Sequence, residues 1–209
     1  MRGNKRKTEC PLKGRVVFFA TGNVHKFNEA RRILTGLDIA VGMLRLKDME
    51  IQSDSLVEIA KVSARKVFKR FDLPVIVEDS GLFIEGLNGF PGPYSAYAYR
   101  TIGNKGLLKL MKSGKNRKAV FRSAIAYCQS QAEAPLVFEG EASGRITNEE
   151  HLGNTESGFG FDPIFQPYGS AKTFAEMTLE EKNSFSHRAE AVRKFAEWYK
   201  KLRSFNNLE

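Results

Sequence analysis

Residues 16–26 read Val-Val-Phe-Phe-Ala-Thr-Gly-Asn-Val-His-Lys, and this stretch predicts a strand, a tight turn and the start of a helix. Its first five residues form an apolar run rich in β-branched and aromatic side chains, as in a buried strand. Thr21-Gly22-Asn23 supplies the turn. Apolar residues then recur with the spacing of one helix face, at Phe27, Ala30 and Leu34.

A helix that begins directly after a strand presents free backbone N–H groups, and these favour an anion such as phosphate. Thr21, Gly22, Asn23 and Lys26 are therefore candidate phosphate-binding residues, with Gly22 allowing close approach and Lys26 supplying a positive charge. In the alternative interpretation Asn23 only caps the helix. His25 is interpreted as a surface residue without a role. The Walker and GxGxxG patterns of common nucleotide-binding loops do not occur in the sequence.

The rest of the chain alternates strand-like and helix-like segments. The predicted strands cover residues 16–20, 38–44, 75–77, 82–84, 118–129, 135–146 and 164–165. The predicted helices follow the first turn, cover residues 55–71 and 102–111, and end the chain after a cap at Ser186. Ser55 with Glu58 and Thr178 with Glu181 have the spacing of capping boxes. Because strands and helices interleave, and because the two long strands suggest an antiparallel pair, we predict an α/β fold with a mixed sheet.

Acidic residues follow the predicted strand at residues 75–77. Carboxylates at the end of a strand in an α/β sheet lie where ligands usually bind. Mg²⁺ prefers hard oxygen ligands and typically uses one or two carboxylates together with substrate phosphates. Asp79 is therefore a candidate metal ligand, a candidate general base, or both. Glu50 is a candidate second ligand, although taken alone it is an ordinary solvated acid.

A third group combines glycines, aromatic rings and hydrogen-bond donors, as a purine site requires. A phenylalanine beside glycines can present its face to a base, and Lys, His and Arg can donate to acceptors on the base edge. In the alternative interpretation the phenylalanines pack in the core and the charged residues begin a helix. The candidate substrate-binding residues of this group are Phe159, Gly160, Phe161, Asp162, Lys182, His187 and Arg188.

The net charge of +9 is concentrated near the N-terminus. Residues 1–15 hold six basic residues and Glu9, so they contribute +5. We therefore predict a basic, disordered tail over residues 1–14 and a single domain over residues 15–209. The chain has neither a signal-peptide core nor a membrane-spanning apolar run, which predicts a cytoplasmic protein. The mild charge of the domain argues against the competing class, a nucleic-acid-binding module.

Five motifs in order resemble the inosine triphosphate pyrophosphatase family, also called the Ham1 or non-canonical purine NTP pyrophosphatase family. The resemblance extends from about Val16 to Tyr199. The motifs are Thr21-Gly22-Asn23-x-x-Lys26, Glu78-Asp79-Ser80-Gly81-Leu82, residues 89–96 (GFPGPYSA), residues 158–165 (GFGFDPIF), and Lys182-x-x-x-Ser186-His187-Arg188.

The resemblance implies hydrolysis of ITP, dITP and XTP to the monophosphate and pyrophosphate, by a homodimer of elongated α/β subunits, each with two lobes around a cleft. It implies Mg²⁺, with Mn²⁺ as an alternative, held by Glu50 and Asp79, and a water activated by Asp79. Ser80 would contact substrate near the metal, and Phe159 would stack on the base. A pyrophosphatase for other modified nucleotides is the second enzymatic alternative. Two departures from the family pattern are Glu78 for the usual aspartate and Ser63 for a common lysine.

Overall fold

A computed structural model describes the chain over residues 16–46, 51–112, 116–153 and 158–206. The tail predicted over residues 1–14 and the candidate ligand Glu50 lie outside the described residues. No helix within the described ranges is both long and apolar enough to cross a lipid bilayer.

The described residues form seven strands and six α-helices, which confirms the predicted α/β class. The strands are β1 (Val17–Ala20), β2 (Val41–Leu44), β3 (Val75–Ile84), β4 (Pro91–Gly92), β5 (Lys118–Cys128), β6 (Leu136–Ile146) and β7 (Phe165–Pro167). The helices are α1 (Val24–Gly36), α2 (Leu56–Phe71), α3 (Ser95–Thr101), α4 (Gly103–Leu110), α5 (Leu179–Phe185) and α6 (His187–Asn206). Short 3-10 helices cover Glu85–Leu87, Asp162–Ile164 and Phe174–Glu176.

The sheet is mixed, as predicted, with the strand order β2-β1-β3-β5-β6-β7 and with β4 paired to β3. β1 runs parallel to both of its neighbours, β2 and β3. All other pairs are antiparallel, including the predicted long pair β5–β6. α1 is the crossover connection between the parallel strands β1 and β2. Antiparallel neighbours can be joined by a short turn and need no such crossover.

Helices cover both faces of one end of the sheet. Successive residues of a strand point to opposite faces, so Ile76 of β3 packs with α1 and α6 while Val75 packs against α2. A third apolar cluster lies at the other end of β3 and β5, where Leu82 and Phe121 meet Phe165 from β7. β3 and β5 therefore run through two separately packed lobes.

The structure differs from the sequence-based prediction in β3. We expected a strand that stops at the acidic residues and a second short strand after them. Instead β3 is continuous, and each residue from Val75 to Ile84 faces a partner in β5. Continuous hydrogen bonding to a long neighbour overrides the local polarity of Glu78-Asp79-Ser80. The acidic residues consequently lie in the middle of a strand and not beyond its end.

The helices largely match the prediction. Ser55 caps α2 through the Glu58 N–H at 3.3 Å, but the Glu58 carboxylate accepts from the Ser53 hydroxyl, so the expected reciprocal capping box is incomplete. Thr178 and Glu181 form the complete box predicted for α5. The helix predicted over residues 102–111 corresponds to α4, and α3 before it was missed.

We predict that Gly140→Ala destabilises the protein. A Cβ at this position in β6 would lie 2.2 Å from the backbone oxygen of His187 and 2.6 Å from the amide nitrogen of Ala191, both in α6. Forcing β6 and α6 apart should lower the free energy of unfolding by about 1–3 kcal/mol or more, measured by urea denaturation. Gly36→Ala is the control, because nothing lies within 4 Å of its added Cβ. Equal stabilities of the two variants would contradict the close packing of α6 on β6.

Candidate active site

A cleft opens where one edge of β3 has no strand partner. β1 pairs with β3 only at Val75 and Ile76, and β4 pairs with it at Leu82 and Phe83. Among the described strands none pairs with residues 77–81 on this edge, while β5 pairs with the opposite edge throughout. The cleft against this segment has a volume of about 520 Å³, which lies in the range of small-molecule sites.

Residues from all three sequence groups meet in this cleft. Ten of the predicted site residues line it: Asn23, Lys26, Asp79, Ser80, Phe159, Gly160, Phe161, Asp162, His187 and Arg188. Thr21, Gly22 and Lys182 are not on its wall, and Glu50 lies outside the described residues. The three separated stretches of chain therefore share one cavity.

The turn between β1 and α1 is held by its own side chains. The Asn23 Oδ1 accepts from the backbone N–H of His25 at 2.9 Å and of Lys26 at 3.3 Å, so the capping interpretation of Asn23 holds. The Thr21 hydroxyl oxygen accepts from the Asn23 N–H at 3.1 Å. Asn23 also lines the cleft, so capping and ligand binding do not exclude each other. Thr21 shapes the turn from behind.

A network of buried charges underlies the cleft. The Lys182 ammonium lies 2.6 Å from Glu29 and 2.6 Å from Asp162. The Arg188 guanidinium donates to Glu29 and, at 3.1 Å, to Glu78. All five side chains are more than nine-tenths buried. Glu29 of α1 therefore joins the start of α6 to the end of α5.

The Glu78 carboxylate has two further partners besides Arg188. Its carboxylate accepts from the Ser123 hydroxyl at 2.8 Å and pairs with Lys26 at 2.9 Å, in addition to Arg188. Burial alone would raise the pKa of Glu78, but the Arg188 and Lys26 cations outweigh burial and hold the pKa below its ordinary value. Glu78 is thus a carboxylate that positions cations, and Asp79 stays the candidate metal ligand of this motif.

The network also sets the charge of its other members. Burial would lower the pKa of Lys182, but Asp162 and Glu29 raise it above its ordinary value, so this lysine is charged. Burial raises the pKa of Asp162, Lys182 opposes that effect and the Glu29 carboxylate adds to it. Asp162 also accepts from the Phe159 N–H at 2.8 Å. The network therefore fixes the loop that carries the Phe159 ring.

The Phe159 ring lies between aromatic and cationic neighbours. The His25 ring stacks on it with centroids 5.3 Å apart and planes at 20°. The Lys182 ammonium lies 4.8 Å and the Arg188 guanidinium carbon 5.5 Å from the ring centroid, both over the ring. These are cation–π distances. His25 is exposed, as expected of a surface residue, and it also lines the cleft at the ring predicted to stack on a base.

His187 is a neutral imidazole in a buried position. Its ring stacks on Phe121 at 4.7 Å with planes at 8°. Burial, together with the Arg188 cation, lowers the pKa of His187 well below its ordinary value. Neither ring nitrogen has a hydrogen-bond partner among the described residues. His187 lines the cleft, and as a neutral imidazole it carries one donor and one acceptor that no described residue uses.

The residues that could hold a metal are few. Asp79 and Ser80 place a carboxylate and a hydroxyl on the cleft wall. The described residues contain no group of three His, Cys, Asp or Glu side chains arranged to hold a metal by themselves. This donor set fits Mg²⁺ bound by one or two carboxylates together with substrate oxygens. It does not fit a structural site built from protein ligands alone.

Several residues of the site and of the network beneath it were not predicted from the sequence. Glu29 lies inside α1, and no local sequence pattern distinguishes it from an ordinary acidic residue of a helix. Its partners Lys182 and Arg188 are more than 150 positions away in sequence. Tyr99 and Arg100 of α3 line the cleft, but α3 itself was missed. The one sequence signal for Glu29 is its position three residues after Lys26, which places both on the same face of a helix. The departure Ser63 lies on α2 and is not on the cleft wall.

The chain and its α/β fold match known proteins over most of their length. A family model described as the Ham1 family matches residues 17–198. A "dITP/XTP pyrophosphatase" of Methanopyrus kandleri is 54% identical over 88% of this chain and 96% of its own length. One from Thermococcus kodakarensis is 48% identical over 87% of this chain and 96% of its own length. A solved HAM1 protein from Coxiella burnetii superposes with a TM-score of 0.77 at 28% identity, covering 89% of this chain and 99% of that one.

The class defined by the fold and the cleft is that of an α/β protein with a site suited to an anionic ligand. The matches over nearly the whole domain identify the class more closely: the chain belongs to the Ham1 family.

We predict that Glu29→Gln lowers the free energy of unfolding by about 3 kcal/mol at pH 7, because it removes one partner from a buried ion network. Burial would raise the pKa of Glu29, but Arg188 and Lys182 lower it below its ordinary value of 4.5. A depressed pKa gives stability that is complete above about pH 4.5 and is lost as the pH falls further. The gap between wild type and variant should therefore narrow below pH 4.5, measured by urea denaturation at several pH values.

Glu180→Gln is the matched control for this experiment. Glu180 pairs with Arg32 at 2.9 Å, but both side chains are more than 60% exposed, and exposed pairs contribute little. If Glu29→Gln is no more destabilising than Glu180→Gln, the buried network does not support the fold in the way described.

Proposed function

We propose that this protein is a pyrophosphatase that hydrolyses non-canonical purine nucleoside triphosphates such as ITP, dITP and XTP to the monophosphate and pyrophosphate. The observation that carries the proposal is the convergence of Lys26, Asp79 and Phe159 on one cleft. The relatives that are 43–54% identical and carry the name dITP/XTP pyrophosphatase support the same activity. The size of the cleft suits a nucleotide.

In this proposal the phosphates bind at the N-terminus of α1. Asn23 and Lys26 line the cleft there, and the positive end of the helix dipole favours an anion. Thr21 and Gly22 form the turn behind them, where Gly22 keeps the backbone close to β2: a Cβ at Gly22 would lie 3.0 Å from the Leu46 carbonyl oxygen.

The base would bind at the other side of the cleft, on the Phe159 ring. Arg188 has five guanidinium N–H donors and uses three of them with Glu78, Glu29 and Ser80. The two remaining donors and the neutral His187 ring can meet the base edge. Lys182 is buried behind the wall, so it acts through Glu29, Asp162 and the Phe159 ring and not by direct contact. Gly160 and Phe161 complete the loop, with Gly160 at a φ of +62°.

This geometry accounts for the preference for an oxo-purine. Hypoxanthine and xanthine have an acceptor at C6, where adenine has a donor. The donors of Arg188 would pair with the C6 oxygen of hypoxanthine or xanthine, and adenine would leave them unpaired. A buried donor without a partner is costly, and sites built on such hydrogen bonds reject a mismatched substrate by factors of about 10⁴.

In the proposed reaction a water molecule attacks the α-phosphorus in line with the leaving pyrophosphate, and Asp79 accepts its proton. Ser80 contacts the substrate beside Asp79. Lys26, held by Glu78 at 2.9 Å, places positive charge at the phosphates. Mg²⁺, or Mn²⁺ in its place, would be held by Asp79, by Glu50 and by substrate oxygens, and when bound it neutralises phosphate charge and lowers the pKa of a coordinated water.

We also propose that the protein acts in the cytoplasm.

The substrate class can be tested directly by measuring pyrophosphate release from ITP, dITP, XTP, ATP, GTP and modified pyrimidine triphosphates with Mg²⁺. Hydrolysis of the first three with slow turnover of ATP supports the proposal. Faster turnover of modified pyrimidines would favour the alternative, a pyrophosphatase for other modified nucleotides. A nucleic-acid-binding module, the other alternative, would release no pyrophosphate from any of them.

We predict that Asp79→Asn lowers kcat for dITP by about 10²–10⁴, the usual effect of losing a general base. The substitution keeps the shape of the side chain, so the elution volume and near-UV circular dichroism should match wild type. Asp38→Asn is the control, because Asp38 is exposed at a φ of +60° that asparagine tolerates. Near-normal turnover by Asp79→Asn would remove the proposed role.

We also propose that the protein is a homodimer, as the family resemblance implies. Large apolar side chains are exposed on and beside α3: Tyr94 is 42% exposed, Tyr97 63% and Ile102 38%. Exposed groups of this kind mark interaction surfaces. A charge in such a surface should oppose self-association because it would have to be buried without a partner.

We therefore expect Tyr97→Glu to shift the sedimentation coefficient from that of a dimer to that of a monomer. Tyr168→Glu serves as the control, since Tyr168 is 53% exposed but lies away from α3, beyond β7. A dimer that persists in Tyr97→Glu, or a monomeric wild type, would contradict this interface.

A further inference from the structure

α3 forms one wall of the cleft and carries a cation that the proposed reaction does not use. Ala96 and Arg100 both line the cleft, and residues four apart lie on one face of a helix. The Arg100 side chain is exposed and belongs to the last turn of the helix. None of the hydrogen bonds or ion pairs of the described residues involves its guanidinium.

This lack of a partner sets Arg100 apart from the other cations of the site. Lys26 is paired with Glu78 at 2.9 Å. Arg188 is held by Glu29 and Glu78. Among the described arginines and lysines that line the cleft, only Arg100 pairs with no described carboxylate.

The charge of the site makes this difference important. Three cations, Lys26, Lys182 and Arg188, are matched by three carboxylates within the network, and the carboxylate of Asp79 adds a further negative charge. The network therefore has no surplus positive charge to offer a ligand. A nucleoside triphosphate brings several negative charges, and a bound divalent ion offsets only two of them.

The backbone of α3 is fixed, although the Arg100 side chain extends into solvent. The Ser95 hydroxyl donates to the Gly92 carbonyl at 2.7 Å and accepts from the Leu82 N–H of β3 at 2.8 Å. At the other end of the helix the Tyr99 ring meets the Phe161 ring edge-on at 5.6 Å. The helix thus holds the root of Arg100 at the cleft while the guanidinium can move to a ligand.

We propose that Arg100 binds the β- and γ-phosphates of the substrate, the part that leaves as pyrophosphate. The inference rests on the proposed function and adds a phosphate-binding residue to it. A guanidinium matches two phosphate oxygens in a bidentate pair. The base is uncharged, so a cation stabilises it less than it stabilises the phosphates.

The test compares wild type with Arg100→Ala, Arg100→Lys and a matched control, Arg31→Ala. Arg31 is an exposed arginine of α1 that does not line the cleft, so its loss removes the same charge from the protein. The affinities of inorganic pyrophosphate and of dIMP are measured by titration calorimetry with Mg²⁺ present. KM and kcat for dITP are measured in parallel at low and high NaCl.

In Arg100→Ala we expect pyrophosphate affinity to fall and KM for dITP to rise by about tenfold, the effect of losing one charge-assisted hydrogen bond. The affinity for dIMP should stay within about twofold, since it lacks the leaving phosphates. Arg100→Lys should recover part of the loss, and added NaCl should narrow the difference from wild type because exposed charges are screened. Arg31→Ala should behave as wild type.

Equal pyrophosphate affinity in wild type and Arg100→Ala would overturn the inference, as would weakening of dIMP to the same extent as pyrophosphate. An equal loss in Arg31→Ala would also overturn it, by showing a general effect of net charge. A wild-type protein that does not hydrolyse dITP would refute the proposed function instead, and the pyrophosphate titrations would still decide the role of Arg100.

Discussion

The site depends on one buried interaction, the bridge that Glu29 makes between Lys182 and Arg188. A carboxylate and two cations removed from water are stable only when each satisfies the others, and all three are at most 3% exposed. The bridge ties α1 to α5 and α6, three elements that are far apart in sequence. The bridge therefore helps to set the positions of the cleft residues on these elements, among them Lys26 and His187.

The sheet contributes a second constraint, the unpaired edge of β3. β1 is too short to cover this edge and β4 covers only its far end. Asp79 and Ser80 can face a ligand because none of the described strands lies beside them, while pairing with β5 on the opposite edge holds their backbone in place. A carboxylate in the middle of a strand is more precisely placed than one on a loop. The catalytic arrangement proposed for Asp79 therefore needs no further support from loops.

The sequence predicted the parts of this structure that local patterns encode. The β1 turn, the long β5–β6 pair and the Thr178 capping box were predicted from spacing alone, and the five motifs indicated the cleft. The continuity of β3 could not be predicted, because pairing with β5 and not local composition maintains it. α3 follows a segment rich in glycine and proline and has no side-chain cap, so it carries no start signal. Glu29 is recognisable only once its distant partners are known.

The ten consecutive pairs between β3 and β5 have a consequence for how the protein comes apart. The first pairs belong to the lobe under α1 and α2, and the last belong to the lobe around Phe121. Neither half can lose its central hydrogen bonds without fraying those of the other. The domain should therefore melt as a single cooperative unit, with the slowest-exchanging amides along this shared pair of strands.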